Sequence, residues 1–160
     1  MSSPEHKQKI WKLIQDIRVG MLVSDDGGDL NARPMTLVQD DYDGTLWFFT
    51  GKDSEKVDEI KKDKDVCLTF ADKDDSTYVS LSGKARLSQD KALIEKFWNP
   101  FVAAWFPDGK SDPNVALLEI KINKGEHWKT DKNGLLQLVE MAKANFTDEK
   151  PDLGENEEFG

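Results

Sequence analysis

The chain has one cysteine, two histidines and only three arginines in 160 residues, and each scarcity excludes something. With Cys67 alone, no disulfide can form within the chain. Cys67 lies in the apolar run Val66-Cys67-Leu68-Thr69-Phe70, where a buried thiol is expected rather than a nucleophile. His6 and His127 stand far apart in sequence. With no cysteine beside either, the sequence offers no zinc-ligand spacing, and none is expected. A haem-ligand role for His127 is the weaker alternative. No apolar run approaches the ~18 residues of a membrane span. Met1 to Lys9 has no apolar signal core, so the cytoplasm is the expected location. No Ser-His-Asp arrangement, phosphate-binding Gly-rich loop, dinucleotide fingerprint or internal repeat is present.

Basic patches are missing as well. Net charge is −9, of which Asp148 to Glu158 carries −5, leaving −4 for the rest. That balance disfavours nucleic acid as a partner. Residues 145–160 read as an acidic, disordered tail, and 1–144 as one domain. At 38% apolar and 33% charged, 160 residues can bury one sizeable core.

What is present reads as short strands with few helices. Ile10, Leu13, Ile14 and Ile17 recur at helical spacing, so Pro4 to Arg18 is expected to be helical. Gly20 to Ser24, Leu30 to Val38, Thr45 to Thr50, Val66 to Ala71, Thr77 to Leu87 and Val115 to Ile122 read as strands. Asp26-Gly27-Gly28 reads as a hairpin turn. Asp53 or Ser54 caps a helix reaching about Lys62, a second helix runs from Ser88 or Gln89 to Trp98, and a third covers Gly134 to Ala144. Six strands with flanking helices predict a mainly β (α+β) chain, a six-stranded antiparallel barrel.

The most informative stretch is Arg33-Pro34-Met35-Thr36, then Trp47-Phe48-Phe49-Thr50, then Ser54 and Lys56. Asp43-Gly44 is a strong hairpin dipeptide. A two-residue loop there sets Leu37 opposite Thr50 and Arg33 opposite Ser54. Alternation puts Arg33, Met35, Leu37, Phe48 and Thr50 on one face, and Pro34, Thr36, Val38, Trp47 and Phe49 on the other. A guanidinium, a hydroxyl, an ammonium and a helix start can together hold a phosphate, with an aromatic strand backing a flat ring. The plain alternative is an ordinary barrel hairpin with Arg33 and Lys56 as solvated charges. Trp98, Trp105, Phe106 and Trp128 read first as core or interface packing, and otherwise as aromatics closing over a ring from a partner chain.

Taken together, these segments resemble the bacterial general stress proteins of the pyridoxamine 5'-phosphate oxidase-like, FMN-binding split-barrel superfamily. The resemblance runs from about Lys7 to Trp128. It rests on Val19 to Val23, Arg33-Pro34-Met35, Trp47 to Thr50 with Ser54 and Lys56, Tyr78 to Ala85, Trp98, Trp105 to Gly109, Asp112-Pro113 and Trp128. It implies a split barrel and a homodimer with flavin, FMN or else FAD, at the subunit interface. By position, Arg33, Ser54 and Lys56 would hold the phosphate. Pro34, Met35, Thr36, Phe48, Phe49 and Thr50 would line the isoalloxazine, and Trp98, Trp105 and Trp128 would approach it. The true oxidases carry an arginine-bearing C-terminal region, whereas no arginine follows Arg86 here. Pyridoxamine phosphate oxidase activity itself is therefore not expected. The expected role is a flavin-binding stress protein with low flavin reductase or oxidoreductase activity. The alternatives are a dedicated FMN-dependent oxidoreductase for a small planar substrate, and a non-enzymatic barrel holding another ligand such as haem.

Overall fold

The computed structural model describes residues 4–130, 134–150 and 154–160. Helix α1 (Pro4–Ile14) leads into strands β1 (Val19–Asp26) and β2 (Asp29–Thr36). Strand β3 (Thr45–Gly51), helix α2 (Glu55–Lys62), and strands β4 (Asp65–Asp72) and β5 (Thr77–Ser88) follow. Short helices α3 (Lys91–Phe97) and α4 (Pro100–Ala103) precede the long strand β6 (Val115–Lys129), helix α5 (Gly134–Thr147) and strand β7 (Glu155–Phe159). All pairing is antiparallel, in the order β2-β1-β4-β5-β6-β3, with β7 also on β6. The expected antiparallel β architecture with flanking helices is present, with seven strands rather than six.

Two expectations about strand pairing are corrected. The hairpin across Asp43-Gly44 does not form. Strand β2 pairs with β1, placing Arg33 opposite Leu22, and β3 pairs with β6, placing Phe48 opposite Leu118. The reason lies in residues 37–44. Tyr42 is buried against Trp11, their rings 6.1 Å apart, so the segment is pulled toward α1. The buried Gln39 amide then takes the place of a neighbouring strand at the start of β3. Its Oε1 accepts from Trp47 N at 2.8 Å, and its Nε2 donates to Thr45 O at 2.8 Å. The hairpin that does form is at Gly27-Gly28, both at positive φ, with Asp26 opposite Asp29. The second correction concerns the acidic tail. Glu155–Phe159 is strand β7, and β6 runs unbroken to Lys129 to receive it.

The face alternation survives the loss of the hairpin. Met35, Leu37, Leu46, Phe48 and Thr50 are buried, while Pro34, Thr36, Val38, Trp47 and Phe49 point away from the barrel interior. Inside, Phe48, Leu22, Leu68, Leu81, Leu118 and Ile120 are fully enclosed, and α1 closes the barrel with Ile10, Trp11 and Ile14. A second apolar cluster forms on the outside, where Ile94 and Phe97 of α3 meet Val115 and Leu117, flanked by Trp47, Phe49, Trp98 and Phe106. Cys67 is half-buried rather than core. It points outward on β4 with its Sγ 3.6 Å from Ser80 Oγ. Among the described residues, no helix is long and apolar enough to cross a membrane.

The β5–β6 ladder shifts register between Ser82 and Gly83, where Asn123 of β6 has no opposite residue. A Cβ on Gly83 would lie 2.3 Å from the Lys121 carbonyl oxygen, a backbone atom that cannot step aside. Gly83→Ala is therefore expected to lower unfolding stability by about 1–3 kcal/mol in urea titrations, the range for overpacking. An unchanged midpoint would show that the bulge relaxes freely.

Candidate functional site

Because β2 and β3 find other partners, each leaves an edge free, and the barrel is split between them. Which backbone groups face the split follows from alternation. Leu37 N donates to Arg18 O at 2.9 Å, so Leu37, Met35 and Arg33 turn their backbones toward β1. Pro34 and Thr36 then turn theirs toward the split. Proline suits this place, since its missing N–H falls on the side with no ladder. On β3, Thr45 and Trp47 present their backbones to Gln39, so Phe49 presents its N–H and C=O to the split.

A cavity of about 560 Å³ opens there. Pro34, Met35, Thr36 and Val38 line one wall, Phe49, Thr50 and Gly51 the opposite wall, and Lys56 one end. Phe101, Val102, Trp105 and Phe106, from α4 and the turn after it, form a rim with Asn114. Asn99 caps α4, accepting from Val102 N at 3.0 Å, and Pro100 opens the helix instead of ending the preceding one. Phe101 and Trp105 are 60% and 73% exposed, so this rim offers aromatic surface with little behind it in one chain.

Seven of the expected site residues therefore meet at the cavity: Pro34, Met35, Thr36, Phe49, Thr50, Lys56 and Trp105. Phe48 does not. It is fully enclosed in the barrel, where burial of a phenylalanine contributes ~1.5–3 kcal/mol, more than an open wall would. Trp98 stands behind the wall, edge-on to Phe49 at 5.8 Å and 6.2 Å from Phe106. Trp128 is near the far end of β6, opposite Tyr78 on the outer face. Tyr78 is thus no neighbour of the cavity in this chain, nor is His127 a lining residue. Val38, Gly51, Phe101, Val102 and Asn114 were not singled out from the sequence. The outward alternation of β2 already marks Val38, and an aromatic run broken at Pro107 marks Phe101.

The charges at the Lys56 end are arranged differently from the expected phosphate clamp. Ser54 is the N-cap residue of α2, but its hydroxyl makes no cap bond and lies 3.2 Å from Thr50 Oγ1. Arg33 is already engaged. Its guanidinium donates to Ser24 Oγ at 2.6 Å, to Leu22 O at 3.2 Å and to Glu59 Oε2 at 3.1 Å. Glu59 is a buried carboxylate on α2 that also accepts from the Ser24 hydroxyl and from Asn31 Nδ2 at 2.9 Å. Burial pushes the Lys56 ammonium below its usual value, and the nearby Arg33 charge adds to that. The cavity end thus holds a desolvated, under-neutralised cation with a second cation close by, a setting that favours an anion.

The Ser24 hydroxyl, then Asn31 and Arg33, hold the Glu59 carboxyl below the usual carboxylate range, against the opposing effect of burial. A lowered carboxyl pKa stabilises the fold above the unfolded value of about 4.3, and that contribution is lost as pH falls through the folded value. Glu59→Gln is expected to be less stable than wild type at pH 7, and the gap should narrow steadily below about pH 4. Urea midpoints measured from pH 7 to pH 2.5 check this, and a pH-independent gap would remove the electrostatic role.

The sequence pattern of the pyridoxamine 5'-phosphate oxidase-like family matches residues 5–152. General stress protein 26 of Bacillus subtilis is 32% identical over 128 residues, covering 76% of this chain and 86% of that protein. A crystal structure of a Jannaschia sp. CCS1 protein named for general stress protein 26 superposes with TM-score 0.75 at 32% identity, over 98% of this chain and 99% of that one. The general stress FMN/FAD binding protein of Xanthomonas citri superposes with TM-score 0.72 at 36% identity, over 82% and 93% of the two chains. Its fold, its split between β2 and β3 and its sequence match place this chain in the pyridoxamine 5'-phosphate oxidase-like family, among relatives named for general stress protein 26.

Proposed function

We propose that the split cavity binds a flavin nucleotide, FMN in the first instance, and that the protein acts as a flavin-binding stress protein. The observation that carries this reading is the pairing of two unlike features in one cavity. One end holds the desolvated Lys56 beside Arg33, and the walls offer Phe49, Trp105 and Phe106 with unpaired strand backbone between them. A flavin nucleotide has the same asymmetry, with a phosphate at one end and a flat, hydrogen-bonding ring at the other. The volume falls within the range of small-ligand sites. A bound flavin supplies the electron-transfer chemistry, and the chain supplies placement and electrostatics. The Xanthomonas citri relative, named as FMN/FAD binding, supports the same assignment.

Roles follow from position. Lys56 neutralises the phosphate, aided by the α2 N-terminus, which Ser54 opens without spending its hydroxyl on a cap. Arg33 acts from behind, its charge favouring the anion while Glu59 fixes its place. The N–H groups of Phe49 and Thr36 meet polar edges of the ring. Lys56→Met is expected to weaken FMN binding by about 1.5–3 kcal/mol, the range for a hydrogen bond to a charged group, and riboflavin binding by much less. Because it removes a half-buried, partly desolvated charge, the same change should raise the melting temperature of the flavin-free protein. Equal losses for FMN and riboflavin in calorimetric titrations would contradict the phosphate assignment.

The ring would be half covered by one chain, and a homodimer completes the site. The outer face of β1, β4, β5 and β6 carries the exposed Met21, Tyr78 and Trp128 with the half-buried Cys67, Thr69 and Ser80 between them, a stretch with few charges apart from Glu126 and suited to a second copy. Sedimentation at micromolar protein is expected to give dimers, with Trp128→Glu shifting them to monomer and weakening FMN binding together. Monomers that keep full FMN affinity would remove the interface site.

A further inference from the structure

Away from the flavin cavity, β6, β7 and α1 meet around one histidine. His127 is 2% exposed, and among the described residues its Nε2 is the one buried side-chain nitrogen or oxygen without a hydrogen-bond partner. It faces two carboxylates of β7, with Nε2 lying 3.5 Å from Glu155 Oε1 and 3.7 Å from Glu157 Oε2. Strand register explains the cluster. Glu157 pairs directly with His127, and Glu155, two residues earlier, projects from the same face. Gly125 helps seat the strand, since a Cβ there would lie 2.6 Å from the Phe159 ring. From α1, Lys9 Nζ reaches both carboxylates, donating to Glu155 Oε1 and, at 2.5 Å, to Glu157 Oε2.

We propose that His127 Nε2, Glu155 and Glu157 form a site for a first-row divalent transition cation of the zinc type, and that the Lys9 ammonium holds the two carboxylates when no such ion is bound. The separations are long for good hydrogen bonds but suit neighbouring ligands of one ion. Two donors, each about 2.0–2.2 Å from a tetrahedral Zn²⁺, stand roughly 3.4 Å apart. The three donor atoms lie within 4.8 Å of one another, a spread that small rotations of the two partly exposed carboxylates bring to tetrahedral spacing. A donor set of one imidazole and two carboxylates, with no thiolate, selects Zn²⁺ or its neighbours over soft Cu(I). Three protein ligands leave a fourth position for water. The ion neutralises both carboxylates, which frees Lys9 to swing outward, where its side chain is already 38% exposed. Its effect is structural: it clamps β7 to β6.

The site shares no residue with the flavin cavity, so it stands or falls independently of flavin binding. The test is calorimetric titration of the metal-free, full-length chain with Zn²⁺, followed by ¹⁵N spectra of the histidine rings. With only two histidines, His6→Gln assigns both rings. Binding of one Zn²⁺ per chain is expected, with a large shift of His127 Nε2. The Glu155→Gln, Glu157→Gln double variant changes only partly exposed positions and should keep its fold by circular dichroism. It is expected to weaken Zn²⁺ binding by at least about tenfold. Lys9→Met, which removes the competing cation, should bind Zn²⁺ more tightly than wild type. An unmoved His127 resonance, a response confined to His6, equal affinity in the double variant, or weaker binding by Lys9→Met would each overturn the site.

Discussion

Everything distinctive about this protein depends on two strands that do not pair with each other. Had β2 and β3 zipped together across Asp43-Gly44, their backbone groups would satisfy one another and the barrel would close. Instead β1 claims β2 and β6 claims β3, and unmatched N–H and C=O groups remain along the gap. Buried backbone groups without partners are costly, so such a gap is either plugged or left open to solvent or a ligand. The chain does one at each end. Gln39 plugs the Thr45–Trp47 end with a side chain that imitates a strand, and the Phe49 end stays open as the cavity.

The sequence made side-chain direction legible more fully than partnership. Alternation put Met35, Leu37, Phe48 and Thr50 on one side and Pro34, Thr36, Val38 and Phe49 on the other, and the structure keeps that division. Alternation belongs to each strand alone, so it does not depend on who the neighbour is. Pairing does, and Asp43-Gly44 misled because a local turn preference, worth at most a few kcal/mol, competed with the burial of Tyr42 against Trp11. Where no such competitor exists, as at Gly27-Gly28, the turn signal is obeyed. Lys56 and Arg33 lie close enough for the Arg33 charge to act on Lys56, but not through the pairing that the Asp43-Gly44 turn implies. The link is not a hairpin register but Glu59, a carboxylate on α2 reaching across to β2. No local pattern could reveal that, since the two residues lie 26 positions apart on elements that meet only in the folded chain. The histidine cluster was hidden for a similar reason. Its carboxylates belong to a segment whose composition reads as disorder, and only strand addition gives them a fixed address.

Electrostatically, the cavity end is unevenly balanced. Glu59 balances Arg33 and leaves Lys56 desolvated without a carboxylate of its own in the cavity wall. That arrangement is poor for stability alone and suits the anion binding proposed above, a trade of stability for function. The cavity rim extends the same logic to shape: Phe101 and Trp105 expose apolar surface beside the open edge, where the proposed second copy would cover it.

The length of β6 has a consequence for solubility. Its first half is flanked by β3, but β3 ends the pairing at Thr45 opposite Lys121, and the remainder from Gly125 to Lys129 would present a bare, extendable rim. Such a rim is a template for intermolecular sheet growth. Strand β7 covers it and replaces it with a short, five-residue edge bearing the charge of Glu158, and short charged edges discourage a further strand from adding. Strand β7 therefore covers a sheet edge as well as adding charge, where composition alone would have credited the segment with charge only.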